Sequence, residues 1–124
     1  MSEPKWIGFA QVCRIHDEQL VLFNGPSGLR DLGLLESALD RPRNKYAYGE
    51  RDIATLAAAY AFGITRNHPF IDGNKRTAFL TTMIFLERNQ FAFAPPQSDA
   101  TEQMLKIAAG VMTELEIAEW IRAT

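Results

Sequence analysis

Apolar residues recur at three- and four-residue steps along most of this chain and almost nowhere in sustained alternation, so helices are the expected elements. From Phe9 to Phe23, the positions Phe9, Cys13, His16, Leu20 and Phe23 trace one face of a first amphipathic helix. Asn24-Gly25-Pro26-Ser27-Gly28 breaks that pattern with turn-forming residues. Asp31 then offers a cap for a short second helix carrying Leu32, Leu35 and Leu39 up to Arg41, ahead of Pro42. Arg43 to Arg51 has no clear period and carries Tyr46, Tyr48 and Gly49. It is expected to form an exposed connection, able to lie as a flap over a neighbouring site.

Asp52 is a candidate N-cap for a third helix through Ile53, Leu56, Tyr60 and Ile64, where Ala57-Ala58-Ala59 adds helix propensity and permits close packing. That helix runs into His68. Further on, Ala78, Phe79, Leu80, Met83, Ile84, Phe85 and Leu86 cover nearly the whole circumference of a helix, which predicts a central, buried element. Phe91 to Phe93 is expected to form a very short strand before Pro95-Pro96. Asp99 with Glu102 then predicts a capping box for a helix bearing Met104, Ile107 and Val111, and Thr113 with Glu116 repeats the device for a terminal helix through Trp120 and Ile121. The expected fold is all-α, a compact bundle of about six helices with short connections, spanning residues 1–124 as one domain.

Composition narrows the function. With 124 residues and 47% hydrophobic content, one domain can bury a sizeable core. A net charge of -2 gives no broad cationic footprint, which disfavours direct binding to nucleic acid or to an anionic membrane. The N-terminus has neither a basic segment nor a long apolar run, so a cytoplasmic protein is expected. Cys13 is the only cysteine, which excludes an intrachain disulfide and a multi-thiolate metal cluster.

Chemistry concentrates in His68-Pro69-Phe70-Ile71-Asp72-Gly73-Asn74-Lys75-Arg76, where a base, a carboxylate, a turn and two cations adjoin a predicted helix start. Gly73 accepts positive backbone angles freely and Asn74 better than most residues, so the pair can turn successive amides toward one anion. The unpaired first-turn N–H groups of the following helix would reinforce that site. Lys75 and Arg76 stand at the helix end where cations are unfavourable by roughly 0.3–1 kcal/mol each, a penalty that a bound polyphosphate reverses. Asp72 offers a hard oxygen ligand to Mg2+, which commonly takes one or two carboxylates along with nucleotide phosphates and water. His68 can accept a proton from an attacking hydroxyl, and the Phe70 ring can pin the loop to the core.

Plainer roles stand beside these. His68 can cap the preceding helix, Asp72 can be an N-cap, and Lys75 and Arg76 can be solvated charges. His16 falls on the apolar stripe of the first helix and is expected to be a satisfied buried imidazole outside the site. Arg30, Tyr46 and Tyr48 are secondary candidates for substrate contact, with packing as their ordinary role.

The motif resembles that of the Fic/Doc family, His-x-Phe-x-Asp/Glu-Gly-Asn-Gly/Lys-Arg. Gly28-Leu29-Arg30-Asp31, Leu34-Leu35-Glu36-Ser37-Ala38-Leu39, Tyr48-Gly49-Glu50 and Ala57-Ala58-Ala59-Tyr60-Ala61-Phe62-Gly63-Ile64 are also similar to its death-on-curing (Doc) branch, so that most of residues 9–122 is covered. The resemblance implies the Fic fold and a toxin of a type II toxin–antitoxin system. It implies a kinase that moves the terminal phosphoryl group of ATP to a threonine of elongation factor Tu and blocks translation, restrained by a Phd-like antitoxin. On that resemblance His68 activates the hydroxyl, Asp72 holds Mg2+, Lys75 and Arg76 stabilise phosphate charge, backbone groups around Gly73 and Asn74 cradle oxygens, and Phe70 supports the loop. Adenylyl-transferring relatives carry glycine at the place of Lys75 and a second arginine at the place of Phe79. Gly73, however, replaces the alanine of some Doc proteins, which keeps transfer of AMP to a protein hydroxyl as the alternative. A non-catalytic helical binding module is the third reading. No self-inhibitory Ser/Thr-x-x-x-Glu-Gly/Asn helix is evident, in keeping with inhibition by another polypeptide.

Overall fold

The structure, a computed structural model, describes residues 3–23 and 28–124, with backbone only for residues 21–23. The predicted turn at residues 24–27 therefore lies outside the described residues. Six α-helices follow one another in the described chain: α1 (Phe9–Phe23), α2 (Leu32–Ala47), α3 (Ile53–Asn67), α4 (Asn74–Arg88), α5 (Gln97–Ala108) and α6 (Glu114–Ala123). The all-α expectation holds. Among the described residues, extended pairing is limited to one isolated antiparallel bridge between Leu29 and Phe70, and no helix is long and apolar enough to cross a membrane.

Helix α1 has its predicted bounds, but its buried face is Val12, Ile15, His16 and Gln19, of which only His16 is on the predicted stripe; Phe9 is exposed, and the Phe23 side chain lies outside the described residues. Apolar residues lie on both sides of this helix, so spacing alone does not single out the face that Val12, Ile15 and Gln19 share. Helix α2 starts where Asp31 predicts, with Asp31 Oδ1 accepting the Leu34 N–H at 3.0 Å. It does not stop at Pro42, however, but runs on to Ala47 with Pro42 buried inside it. Proline cannot donate to the carbonyl four residues back, here that of Ala38. That carbonyl faces Gly63 of α3, where an added Cβ would lie 3.3 Å from it. The defect in α2 thus sits where the α3 backbone approaches closely, and burial holds the helix together across it. Residues 43–47, read from sequence as a connection, are its last turn.

The most enclosed helix is α3, which packs against α2, α4, α5 and α6. Ala54, Leu56, Ala57, Ala58, Ala59, Tyr60, Ala61, Gly63 and Ile64 are all buried, and its small residues let neighbours approach closely. Sequence pointed to α4 as the central helix. Instead α4 buries Asn74, Thr77, Ala78, Thr81, Thr82, Phe85 and Leu86 and leaves Phe79, Leu80, Met83 and Ile84 half-buried. Threonine is compatible with the buried stripe because its hydroxyl can bond within the helix, as Thr82 Oγ1 does to Ala78 O at 2.7 Å. Tyr60 ties the N-terminal segment to this core, its hydroxyl accepting the Ile7 N–H at 2.9 Å. Burial pushes the Tyr60 phenol up to about 12.

Toward the C-terminus, residues 91–93 form no strand, since no neighbouring strand is present among the described residues to pair with them. Phe93 packs edge-on against Trp120 instead, 5.3 Å between ring centres. Helix α5 begins at Gln97, after Pro96, rather than at an Asp99 cap. The Asp99 carboxylate is used elsewhere, accepting the Trp120 indole N–H at 2.9 Å and so joining α5 to α6. Val111 lies beyond the end of α5 and is exposed. The Thr113–Glu116 capping box forms as predicted, with Thr113 N–H to Glu116 Oε1 at 2.9 Å and Glu116 N–H to Thr113 Oγ1 at 3.1 Å.

Candidate active site

Helix α3 ends on His68, whose backbone is left-handed (φ 52°, ψ 54°) and whose N–H closes the last turn on Ile64 O at 3.1 Å. A left-handed residue other than glycine is strained by roughly 1–2 kcal/mol, so neighbouring contacts must hold it. Arg30 supplies them. Its Nε and Nη2 donate to His68 O at 2.9 and 2.6 Å, and Nη2 also reaches Asn67 O at 3.1 Å. A guanidinium on these last carbonyls also suits the negative end of the α3 dipole.

The same segment straps down the motif loop: Arg30 N–H and Asp31 N–H both donate to Pro69 O, at 2.7 and 3.0 Å, and Ile71 N–H to Gly28 O at 3.2 Å. Phe70 points inward and is 2% exposed, the supporting position that its sequence predicts. Its backbone is satisfied by the buried Asn74 side chain, with Oδ1 accepting from Phe70 N–H at 2.9 Å and Nδ2 donating to Phe70 O at 2.8 Å. Asn74 is therefore already helical, and the left-handed positions around the site are His68 and Gly73, not the Gly73–Asn74 pair. The asparagine is set by this amide fork rather than by tolerance of positive φ.

Gly73 (φ 79°, ψ 13°) is the N-cap of α4 and has no side chain to cap it. The first-turn amides of a helix lack intrahelical acceptors; the Thr77 N–H is the one that closes on Gly73 O, at 2.9 Å. Beneath the turn lies His16, 2% exposed. Its ring stacks on Phe70 at 3.9 Å and 8°, and its Nε2 is 2.7 Å from Asp72 O. His16 is thus the satisfied buried imidazole that its place on α1 predicts, yet its partner belongs to the motif. Sequence separation hid that link.

Above the turn opens a cleft of about 420 Å3 lined by Thr65, His68, Asp72, Gly73, Asn74, Lys75, Arg76 and Ala108. Every predicted candidate of the motif lines it except Phe70, which lies below. It adjoins a second cleft of about 290 Å3, and Thr65, His68 and Ala108 line both. The larger hollow, about 650 Å3 on the C-terminal half of α2, contains Tyr48 and no motif residue. Volume therefore does not mark the chemistry. Tyr48 is 93% exposed there, and Tyr46 packs on Trp6 and under the Arg51 guanidinium. Neither tyrosine lines the His68 cleft, and a flap made by them is not seen.

Thr65 and Ala108 were not singled out from sequence. Thr65 precedes His68 by three residues, one turn back on α3, a spacing that can place the two on one face. Ala108 arrives from α5 and has no local signal. Thr65 Oγ1 is buried without a hydrogen-bond partner. Phe79 is half-buried against the core and does not line the cleft, whereas Lys75 does. Among the described residues, no three His, Cys, Asp or Glu side chains are grouped to hold a metal by themselves. The exposed Asp72 carboxylate in the cleft suits the mode in which Mg2+ is shared between one protein carboxylate, phosphate oxygens and water.

Comparison with known proteins places the sequence in a family. Residues 6–86 match the Fic/DOC family. The chain is 30% identical over 115 residues to the "Protein kinase doc" of Escherichia phage P1, spanning 90% of this chain and 89% of that protein. It is 40% identical over 72 residues to the "Toxin Doc" of Mycolicibacterium smegmatis, spanning 56% of this chain and 55% of that protein. The match spans the motif and more than half of the chain, and the chain belongs to the Fic/DOC family.

Proposed function

We propose that this protein is a Doc-type toxin kinase that transfers the γ-phosphoryl group of ATP to a threonine hydroxyl, with elongation factor Tu as its target and loss of translation as the result. The observation that carries the reading is the convergence of His68, Asp72 and the cationic start of α4 on one cleft. The relative named as a protein kinase, aligned over 90% of the chain, supports the choice of reaction.

In this mechanism the acceptor oxygen attacks the γ-phosphorus, the bond from that phosphorus to the β,γ-bridging oxygen breaks, and ADP leaves with the bond's electron pair. His68 takes the hydroxyl proton as the new P–O bond forms. Its position at the boundary of the two clefts gives it access to phosphate on one side and to an acceptor on the other. Amides at Gly73 and along the first turn of α4 hold phosphate oxygens, and Lys75 and Arg76 add charge where it accumulates in the transition state. Mg2+, when bound through Asp72, neutralises phosphate charge. In the cell, a Phd-like antitoxin restrains the toxin by docking a helical segment on it, as expected for a type II toxin–antitoxin pair.

The test is incubation with elongation factor Tu and ATP labelled at the α or at the γ phosphate. Label from the γ position alone, lost in His68→Ala, is the expected result. Label from the α position would establish adenylyl transfer instead, an outcome that Gly73 leaves open while Phe79, held against the core, argues against it. No transfer to elongation factor Tu or to a panel of proteins would overturn the enzymatic reading in favour of a binding module.

A further inference from the structure

We infer that His16 is a positioning residue that locks the Asp72–Gly73 peptide in the orientation an anion requires, an inference that rests on reading the His68 cleft as a phosphate site. The Asp72 carbonyl can only accept a hydrogen bond, so His16 Nε2, at 2.7 Å, carries the proton. The imidazole has no freedom to turn away. It is 2% exposed and stacked on Phe70 at 3.9 Å, and Phe70 is itself fastened at both backbone groups by Asn74.

In a trans peptide the C=O and the following N–H point in opposite directions. Drawing the Asp72 oxygen down onto α1 therefore turns the Gly73 N–H away from α1, toward the cleft that Gly73 lines. Gly73 has φ 79° and ψ 13°, the values of the third residue of a type II turn. Reversing the central peptide of such a turn gives the type I form, in which that residue takes negative φ and the chain path is nearly unchanged. The two forms present opposite groups to the cleft. With the peptide reversed, a carbonyl oxygen would replace the amide and repel a phosphate. The His16 ring also forms the floor of the turn: a Cβ at Gly73 would lie 3.6 Å from its Cδ2 and Nε2. One donor on α1 thus selects which form of the loop exists.

Two variants separate hydrogen bonding from packing. His16→Phe keeps an aromatic ring against Phe70 without a donor; His16→Gln restores an N–H near the Nε2 position. Crystal structures are expected to show the Asp72–Gly73 peptide reversed or mixed in His16→Phe and unchanged in His16→Gln. Tripolyphosphate and ATP, measured by calorimetry, are expected to bind His16→Phe about tenfold more weakly, the scale of one lost bond to a charged group, with recovery in His16→Gln. In turnover, the loss in His16→Phe should fall in KM for ATP more than in kcat. An unchanged peptide in His16→Phe overturns the inference whether or not phosphate binds. If the peptide reverses but the unaltered protein binds no tripolyphosphate, the phosphate reading of the cleft fails and the His16 lock stands as a property of the loop alone.

Discussion

Helix α6 begins on Thr113, whose hydroxyl and backbone join Glu116 in a reciprocal box, and it carries Glu114 and Glu116 in its first turn. Helix α4 begins on Gly73, which offers no side chain, has no acidic residue in its first turn and carries Lys75 and Arg76 there. Both ends have the same partial positive charge and the same set of amides without intrahelical acceptors. At α6 the chain answers these with its own acids, and Glu114 further binds Lys45 at 3.1 Å, so that α2 is held as well. At α4 it does the reverse and surrounds the opening with His68, Asp72 and Thr65. A helix start built for stability completes itself. On the proposed reading, the start of α4 is left incomplete for a ligand, and a bound anion would offset the cost.

The largest effect expected from this contrast is on catalysis. His68→Ala should lower the transfer rate by at least about 100-fold, the lower range for removing a general base, while leaving the thermal midpoint nearly unchanged, since alanine keeps the Cβ that strains a left-handed residue and the Arg30 bonds go to the backbone carbonyl. Labelled-phosphate transfer and thermal unfolding on the same preparation check both. A variant that transfers phosphate at the original rate would remove His68 from the mechanism and leave the open start of α4 without its reaction.

Asn74→Ala should come next, as a loss of stability. The Phe70 N–H and C=O, both buried, would lose their partner groups, at a cost of about 2–3 kcal/mol, read as a lower denaturant midpoint. Activity should fall with it because the same amide fork holds the loop. Thr113→Ala is the counterpart at α6 and should cost about 1 kcal/mol with the transfer rate unchanged. Acid sharpens this pair. The Glu116 carboxylate is held below its ordinary range, first by the Thr113 amide and then by the Thr113 hydroxyl. Its contribution is therefore present above the usual glutamate range and is lost as pH falls through the lowered value. Stability measured across that acidic window should decline less steeply in Thr113→Ala than in the unaltered protein.

How much of this was legible in the sequence follows from how local each signal is. The Thr113–Glu116 box and the Asp31 cap are contained within four residues, and both appear where the spacing puts them. The motif residues share the cleft because one loop and one helix turn carry them. Pro42 misled because its local rule, that proline ends helices, is overridden by the packing of α2 on α3, where Ala38 meets Gly63, which no local pattern reports. Threonines at 77, 81 and 82 hid the inner face of α4, since hydropathy ranks them as polar although all three are buried, Thr82 with its hydroxyl bonded within the helix. The links of His16 and Arg30 to the motif escaped for a third reason. Their partners, Asp72 O and His68 O, are backbone atoms 56 and 38 residues away, and a backbone acceptor leaves no residue type to pair with.

The smallest effect is the most direct test of the contrast, and it follows from making α4 begin as α6 does. Lys75→Glu puts an acid where the first turn of α4 now holds a cation. Without nucleotide the variant should be more stable by about 0.3–1 kcal/mol, the scale of one charge against a helix end. With ATP the order should reverse, because ligand binding raises the midpoint in proportion to affinity and the glutamate repels the phosphates. Thermal unfolding across an ATP titration therefore gives two curves that cross. If Lys75→Glu is less stable without nucleotide, Lys75 serves the fold and the incompleteness of α4 is not a preparation for phosphate; if it is more stable and ATP still lifts it equally, the anion lies elsewhere than at this helix end.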